Sequence, residues 1–389
     1  MNYPVFSNAH LIIGRGSIES IVDINENRFA LVGDFKALGE KRLKKIETML
    51  KEAGKEIKVI ASVEKEPTTS DFQDALTTIN DFQPDCILAI GGGSAMDFAK
   101  VLWMFYEHPC FSLEQAFQPF SVPPMGSKAK LIAVPTTSGT GSETTCVAVL
   151  VDKDTKKKRL IMSRNLIPSI AIIDSDFPDT MPKHVAAYSG LDALSHALEA
   201  AACRISSQIV KTIAISAAQE IIEWLPASVN ETDEDKKSTA REIMHNISTV
   251  AGMAINNSCT GLSHAMDQIG PLFGLPHGLV CGILLPYTID MCCPTKEYVS
   301  LSRRLGYTGD DGYVCKKLVK RLFELNKELG IPLNLKNVGI TLSDMEKNMD
   351  ELVENAMSSA STALCPAKLS QQQLRGGFLR AYHGEPLDS

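Results

Sequence analysis

The stretch CILAIGGGSAMDFAKVLWMF, residues 86–105, joins an apolar run to a glycine-rich turn and then to an amphipathic segment. The apolar run predicts a buried strand, and the spacing of apolar residues after Ser94 predicts a helix. The glycines leave backbone amides accessible at the start of that helix, where a pyrophosphate can bind. A tight structural turn explains the same glycines, because the pattern is not GxGxxG.

The same alternation continues on both sides of this stretch in the first half of the chain. Strand candidates lie at residues 29–33, 57–63, 86–90, 130–135, 146–152 and 169–174, and charged or amphipathic segments such as 40–54 lie between them. Alternation of this kind favours βαβ units and a mostly parallel sheet.

The sequence pattern changes near residue 183, where long segments with helical periodicity begin. They cover residues 184–202, 209–225, 239–255 and 314–329, with few strand patterns between them. We therefore expect an α/β domain over residues 1–182 and an all-α domain over residues 183–389. The proline-bearing stretch 176–182 is a candidate hinge, and a cleft between two domains is a favoured place for a ligand.

Composition favours small-molecule chemistry. The chain has 389 residues, 44% of them hydrophobic, and a net charge of −7. Nucleic-acid binding rewards a basic face, so we expect no nucleic-acid partner. We also expect no membrane partner and a cytoplasmic location, because the N-terminus lacks a signal-peptide pattern, apolar runs are too short to span a membrane, and the ten cysteines are scattered without CxxC spacing.

A second polar stretch and one carboxylate are further cofactor candidates. Residues 136–143, TTSGTGSE, follow a predicted strand and offer hydroxyls and amides to a second part of a nucleotide, although a polar loop explains them equally. Asp34 ends another strand, where a carboxylate can bind an adenosine ribose and disfavour NADP. The alternative is that Asp34 caps the following helix.

Four residues are candidate metal ligands. Asp192 and His196 lie four apart and share one face of a predicted helix, while His264 and His277 follow in two further motifs. The glycine and proline beside His277 suit a sharply turned segment after a helix. One carboxylate and three imidazoles suit a divalent ion such as Fe(II) or Zn(II), with an open position for substrate, although a single histidine is more often structural.

Five motifs, in chain order, resemble the iron-containing (group III) alcohol dehydrogenase family. They are GGGSAMD (91–97), PTTSGTGSE (135–143), GLDALSHALE (190–199), AGMAINNSCTGLSHAM (251–266) and LPHG (275–278). The stretch LWMFYEHP (102–109) and the residues that lead into PTTSGTGSE are particularly similar to the alcohol dehydrogenase half of bifunctional aldehyde-alcohol dehydrogenases.

The resemblance implies an N-terminal dinucleotide-binding domain, a helical metal domain and an active site in the cleft between them. It implies the metal ligands Asp192, His196, His264 and His277. The implied cofactor residues are Asp34, Gly91, Gly92, Gly93, Ser94, Asp97, Thr136, Thr137, Thr140 and Lys158. It also implies a homodimer or a larger homo-oligomer.

The expected reaction is NAD(H)-dependent, metal-assisted interconversion of a short-chain aldehyde and its primary alcohol. Gln268 stands where many family members have a histidine, so Asp267 is a candidate for proton transfer. Val147 replaces a polar, substrate-facing residue of one branch. A short anionic aldehyde of the sulfoacetaldehyde, phosphonoacetaldehyde or succinic semialdehyde type is an alternative substrate, for which Arg204 is a candidate contact. A non-catalytic homologue that forms assemblies is an alternative of another class.

Overall fold

The computed structural model describes residues 5–155 and 157–384. These residues form two compact units, one of Ser7–Met181 and a second of residues 182–384 together with residues 5–6, and each is described by itself. Residues 1–4, part of the segment inspected for a signal peptide, lie outside the described residues.

The first unit is built on strands and a few helices. Its strands are β1 (His10–Ile13), β2 (Arg28–Gly33), β3 (Glu56–Ser62), β4 (Cys86–Gly91), β5 (Lys130–Pro135), β6 (Val147–Val151), β7 (Lys158–Met162) and β8 (Ile170–Ile173). Its helices are α1 (Phe35–Leu38), α2 (Glu40–Glu52), α3 (Gln73–Phe82), α4 (Gly93–Glu107) and α5 (Leu113–Ala116). Short 3₁₀ segments cover Ser17–Asp23, Arg164–Leu166 and Pro178–Thr180.

Six of these strands form one sheet in the order β1-β8-β5-β4-β2-β3, and every neighbouring pair is parallel. The segment expected as a strand at 146–152 lies elsewhere, because β6 pairs antiparallel with β7 in a separate two-stranded sheet. The sequence analysis missed β1 and β7, since β1 has only four residues and β7 begins with two charged ones.

Both faces of the parallel sheet are covered. Phe29 and Leu31 of β2 belong to a core that includes Leu50 of α2, whereas Ala30 and Val32 belong to one that includes residues of α4. Burial on both faces explains why the central strands are continuous apolar runs. Parallel strands also end at a common edge, so the turns that follow β2, β4 and β5 lie next to one another.

The second unit is helical. It contains α6 (Lys183–Ala202), α7 (Gln208–Asn230), α8 (Glu234–Asn256), α9 (Leu262–Met266), α10 (Ile269–Phe273), α11 (His277–Met291), α12 (Lys296–Arg304), α13 (Asp311–Glu328), α14 (Leu342–Ser358), α15 (Ala360–Leu364) and α16 (Gln371–His383), with a 3₁₀ segment at Leu335–Val338. Between residues 182 and 384 the structure contains no strand. The α/β plus all-α fold class expected from the sequence is confirmed.

Helix α6 is the centre of this unit. It is almost wholly buried from Gly190 to Ala202 and packs against α7, α8 and α11. The chain turns after α10 through Gly274, whose φ is 65°, and through Pro276. His277 then begins α11, so Gly278 lies within a helix and not in the turned segment expected there.

None of the described helices is by itself long and apolar enough to cross a membrane. The pair α11 and α12 meets that length and composition only jointly, across a bend of 112°.

Candidate functional site

The two glycine-rich loops expected to bind a cofactor meet at the carboxyl ends of β4 and β5. Three pairs of neighbours join them: Gly91 with Thr136, Gly92 with Thr137, and Gly93 with Thr140. The amide of Thr136 donates to the carbonyl of Gly91 at 3.0 Å. A Cβ at Gly93 would lie only 2.9 Å from Cγ2 of Thr140, so close packing of the loops requires glycine there. Ser94, the second residue of α4, is half-buried beside them.

Asp34 lies beside this pair of loops. Its amide donates to the carbonyl of Ile90 at 3.2 Å, and a Cβ at Gly91 would lie 3.7 Å from the Asp34 Cβ. Its side chain accepts a hydrogen bond from the amide of Ala37 at 2.9 Å, so the carboxylate caps α1. The cap occupies one carboxylate oxygen, and the ribose role stays a prediction.

Asp97 is already bonded within the protein. One oxygen accepts from Oγ of Ser142 at 2.7 Å and the other from the amide of Val149 at 3.0 Å. These bonds tie α4 to the second loop and to β6. Burial raises the pKa of the Asp97 carboxyl, against the opposing charge of Lys100. Direct contact of Asp97 with a cofactor stays a prediction.

Lys100 is a residue of this site that the sequence analysis missed. It is fully buried, and its Nζ lies within hydrogen-bonding distance of Ser142 Oγ (2.9 Å), Thr145 O (2.9 Å), Thr145 Oγ1 (3.1 Å) and Val147 O (2.8 Å). Burial lowers the pKa of Lys100, while Asp97 opposes that shift. The available signal was a lysine within an apolar helical stretch, three residues after Asp97.

Lys158 lies on a different element from these loops. It is the first residue of β7 and pairs with Val151, at the opposite end of the β6–β7 hairpin from Val147. Its cofactor role stays a prediction.

The four candidate metal ligands converge in the second unit. Asp192 and His196 stand one turn apart on α6, His264 lies on α9, and His277 begins α11. The Oδ1 atom of Asp192 is 3.6 Å from Nε2 of His196, 3.5 Å from Nε2 of His264 and 3.3 Å from Nε2 of His277. Three imidazole nitrogens therefore surround one carboxylate oxygen.

These separations fit a metal ion better than hydrogen bonds. Two ligand atoms about 2.1 Å from one tetrahedral ion lie about 3.4 Å apart, close to what is observed. Oδ1 of Asp192 and Nε2 of His264 are buried, and neither has a hydrogen-bond partner. Burying such atoms is costly unless something binds them, and a divalent ion suits this donor set.

Two buried carboxylates orient the imidazoles. Oε2 of Glu199 is 2.6 Å from Nδ1 of His264, and Oε1 of Glu199 accepts from the amide of Ser263 at 2.7 Å. Oδ2 of Asp267 is 2.7 Å from Nδ1 of His277. Each carboxylate holds the proton on Nδ1, which leaves Nε2 directed toward Asp192. Glu199 was missed from the sequence, although it lies seven residues after Asp192 on the same helix face.

The ionisation states of Asp192 and His196 suit metal binding. Burial opposes the charge on Asp192, but the imidazoles outweigh it and hold the pKa of that carboxyl well below its usual range. Burial lowers the pKa of His196 to about 4, against the opposing influence of Asp192. A charged carboxylate and a neutral imidazole are the forms that bind a metal ion. Burial opposes the charge on His264, but Cys281, Glu199 and Asp192 outweigh it and raise the pKa of that imidazole, so an ion would have to displace a proton there.

Cys281 is a further candidate donor that the sequence analysis missed. Ligand atoms of Asp192, His264, His277 and Cys281 all lie within 4.8 Å of one another. Cys281 follows His277 by four residues on α11, and that helical spacing was the signal for it.

Comparison with known proteins identifies the family of this chain. The model of the family "Iron-containing alcohol dehydrogenase" matches residues 8–175, and that of "Fe-containing alcohol dehydrogenase family, C-terminal" matches residues 186–382. The NADPH-dependent butanol dehydrogenase of Clostridium saccharobutylicum is 35% identical over 96% of this chain and 97% of its own. The bifunctional aldehyde-alcohol dehydrogenase AdhE of Escherichia coli K12 is 34% identical over 95% of this chain, which spans 44% of that protein.

A solved structure extends this agreement to the fold. The iron-containing alcohol dehydrogenase of Thermococcus thioreducens has a TM-score of 0.88 and 31% identity, with 99% of this chain and 100% of that chain covered. Three observations point to the same family. The glycine-rich loops lie at the edge of a parallel sheet, the acid and three histidines lie in a helical unit, and these matches cover nearly the whole chain. The chain belongs to the iron-containing alcohol dehydrogenase family.

Proposed function

We propose that this protein is a metal-dependent NAD(H) alcohol dehydrogenase that interconverts a short-chain aldehyde and its primary alcohol. The observation that carries the proposal is the convergence of three histidine Nε2 atoms within 3.6 Å of one Asp192 oxygen. The proposed ligands are Asp192, His196, His264 and His277. When bound, the divalent ion would supply Lewis acidity toward a substrate oxygen, and the nicotinamide would supply or accept hydride.

The residues of the chain would bind and orient these groups. We assign residues 91–94 and the threonines at 136, 137 and 140 to the dinucleotide, since the start of α4 offers free amides to a pyrophosphate. Ser142 and Asp97, tied together by their hydrogen bond, would hold the second loop against α4. Glu199 and Asp267 would fix the imidazole rings and so keep Nε2 available at the ion.

We keep Asp267 as the candidate for proton transfer. Its carboxylate contacts the far nitrogen of His277, so an effect on proton movement would act through that imidazole. Replacement of Asp267 by Asn should lower metal affinity and alter the pH profile of kcat. An unchanged pH profile with metal bound would remove the relay role and leave only positioning.

The cofactor preference tests the role of Asp34. A carboxylate beside Gly91 disfavours a 2′-phosphate, so we expect NADH to be preferred over NADPH. The butanol dehydrogenase relative is named as NADPH-dependent, so both cofactors belong in the assay. An NADPH preference would overturn this role.

The test is cofactor oxidation by anaerobically prepared protein, loaded separately with Fe(II) or Zn(II), against neutral and anionic short aldehydes. We expect His277→Ala to lose bound metal and turnover. His383→Ala, which changes an exposed histidine on α16, should keep both. No turnover across the panel, with metal and NADH demonstrably bound, would contradict the proposal and favour a non-catalytic homologue.

The anionic panel members test the alternative substrate class. The guanidinium of Arg204 donates to the carbonyl of Ala363, so it contacts the backbone. Arg204→Ala should therefore leave the ranking of neutral over anionic aldehydes unchanged. A turnover lost only for anionic aldehydes would restore Arg204 as a substrate contact.

We further propose that residues 1–182 and 183–389 act as the cofactor-binding and metal-binding domains on one substrate. The family resemblance supports a homodimer or larger homo-oligomer, which light scattering of the purified protein tests. The ten free thiols, all within the described residues, support a cytoplasmic location. We expect no nucleic-acid or membrane partner.

A further inference from the structure

We propose that the thiolate of Cys281 is a donor to the metal ion, and that it biases the site toward softer divalent ions such as Zn(II) and Co(II) over Fe(II). The inference rests on the proposed function, because it takes the same ion in the same place. It adds a ligand that one carboxylate and three imidazoles do not include.

The position of Cys281 within the donor set is the first support. Ligand atoms of Asp192, His264, His277 and Cys281 lie within 4.8 Å of one another. An ion bound by Asp192, His264 and His277 would therefore lie near the Cys281 sulfur, and a small movement of one side chain would bring the sulfur into contact with it. His196 and Cys281 both offer the next donor.

Helix geometry explains why the sulfur faces the ion. Cys281 stands one turn after His277, so both side chains leave the same face of α11. Its Sγ lies 3.7 Å from Nδ1 and 3.8 Å from Nε2 of His277. Helix α11 approaches α6 closely at Gly278, where a Cβ would lie 2.2 Å from the Tyr188 carbonyl oxygen, and His277 Nε2 lies 3.3 Å from Oδ1 of Asp192.

Because Cys281 is buried, its thiol is placed to bind an ion inside the site and not to react with reagents in solvent. Cys281 has 0% exposure, so the sulfur is shielded from solvent and faces the imidazole ring. On metal binding the S–H bond breaks, its proton goes to solvent, and its electron pair forms the metal–sulfur bond. The two negative charges of Asp192 and the thiolate then balance a divalent cation.

The chemistry of the donors predicts the metal preference. Thiolate is a soft ligand that favours zinc and its analogues, whereas carboxylate and imidazole alone discriminate less. Thiolates at a catalytic zinc are compatible with alcohol oxidation, as the zinc ligands of other alcohol dehydrogenases include two cysteines and a histidine.

The test uses the full-length protein loaded with Co(II), which reports its ligands by absorption. We expect a thiolate-to-cobalt charge-transfer band in the near ultraviolet for the wild type. Cys281→Ala and Cys281→Ser should lose that band while their visible cobalt absorption shows that the ion is still bound. In competition dialysis the preference for Zn(II) over Fe(II) should fall by about tenfold in both variants.

Cys315→Ala is the matched control, because Cys315 is a fully buried thiol on α13, a helix that packs against α11. That variant should keep the band and the preference. X-ray absorption of the zinc-loaded wild type needs no variant, and it should show sulfur at about 2.3 Å from the ion.

The outcomes separate this inference from the proposed function. Cobalt bound to the wild type without the band or the sulfur scatterer overturns the role of Cys281 and leaves the four other ligands. A band that survives in Cys281→Ala also overturns it. Failure of the wild type to bind cobalt or zinc at all overturns both proposals.

Discussion

Replacement of Gly278 by Ala should damage the metal site more than the fold. A Cβ there would lie 2.2 Å from the Tyr188 carbonyl oxygen and 2.7 Å from its carbon, and both are backbone atoms of α6. A carbon–oxygen contact normally needs about 3.3 Å, so the start of α11 must move by about 1 Å. His277 precedes Gly278 and would move with it.

The size of that movement sets the expected loss. Metal–ligand distances tolerate only about 0.2 Å, so a shift of about 1 Å removes His277 from the ion. We expect metal affinity and kcat/KM to fall on the order of 100-fold. The overpacking itself should cost about 1–3 kcal/mol of unfolding free energy, offset in part by the higher helix propensity of alanine.

Gly282→Ala is the control, because it adds the same methyl group one turn later between the same two helices. Its Cβ would lie 2.6 Å from Cδ1 of Leu191, the end of a flexible side chain that can rotate away. We expect a comparable loss of stability with metal affinity nearly unchanged. The assay is metal competition against a chromophoric chelator, with urea unfolding of the metal-free proteins alongside. Wild-type affinity in Gly278→Ala would refute the argument that this contact sets the position of His277.

Glu199→Gln should weaken metal binding by about 10–100-fold, because the carboxylate that orients His264 is lost; chelator competition measures this, and unchanged affinity would contradict the orienting role. Lys100→Met should lower the free energy of unfolding by about 3–5 kcal/mol, since it leaves Asp97 buried without its opposing charge; urea unfolding tests this, and the double variant that also carries Asp97→Asn should recover part of the loss. Burial lowers the pKa of His245 from 6.5 to about 4, so the unfolded chain takes up a proton first as the pH falls below 6.5. The contribution of His245 to the free energy of unfolding of the wild type should therefore be fully present above pH 6.5, and about 2 kcal/mol of it should be lost by about pH 5. The metal-free His245→Gln variant should lose that much less in urea unfolding, and an equal loss in both proteins would show that His245 does not titrate as described.

Local signals made much of the fold predictable. β2, β4 and β5 are buried on both faces, so each is a continuous apolar run that stands out in the sequence. The pairing of β6 with β7 was not predictable, because the period of a strand does not reveal its partner. The helical position of Gly278 was missed for a similar reason, since the need for glycine arises from Tyr188 on another helix.

The residues of the candidate site also divide into those that could be predicted from the sequence and those that could not. Asp192 and His196 are one helical turn apart, so their convergence could be read from spacing. Lys100 was missed because its acceptors lie more than forty residues later along the chain. Glu199 and Cys281 carry helical spacings that pointed to their roles, but those spacings gain meaning only when α6, α9 and α11 are packed together.

The placement of all four histidine and aspartate donors within one unit makes the ion a crosslink. Asp192 on α6 and His277 at the start of α11 are far apart in the chain, and a shared ion would close the loop between them. Binding to the folded state alone stabilises it in proportion to the logarithm of free metal over its dissociation constant. Chelation should therefore lower the melting temperature of the helical unit, so that metal supply would govern how long that unit stays folded.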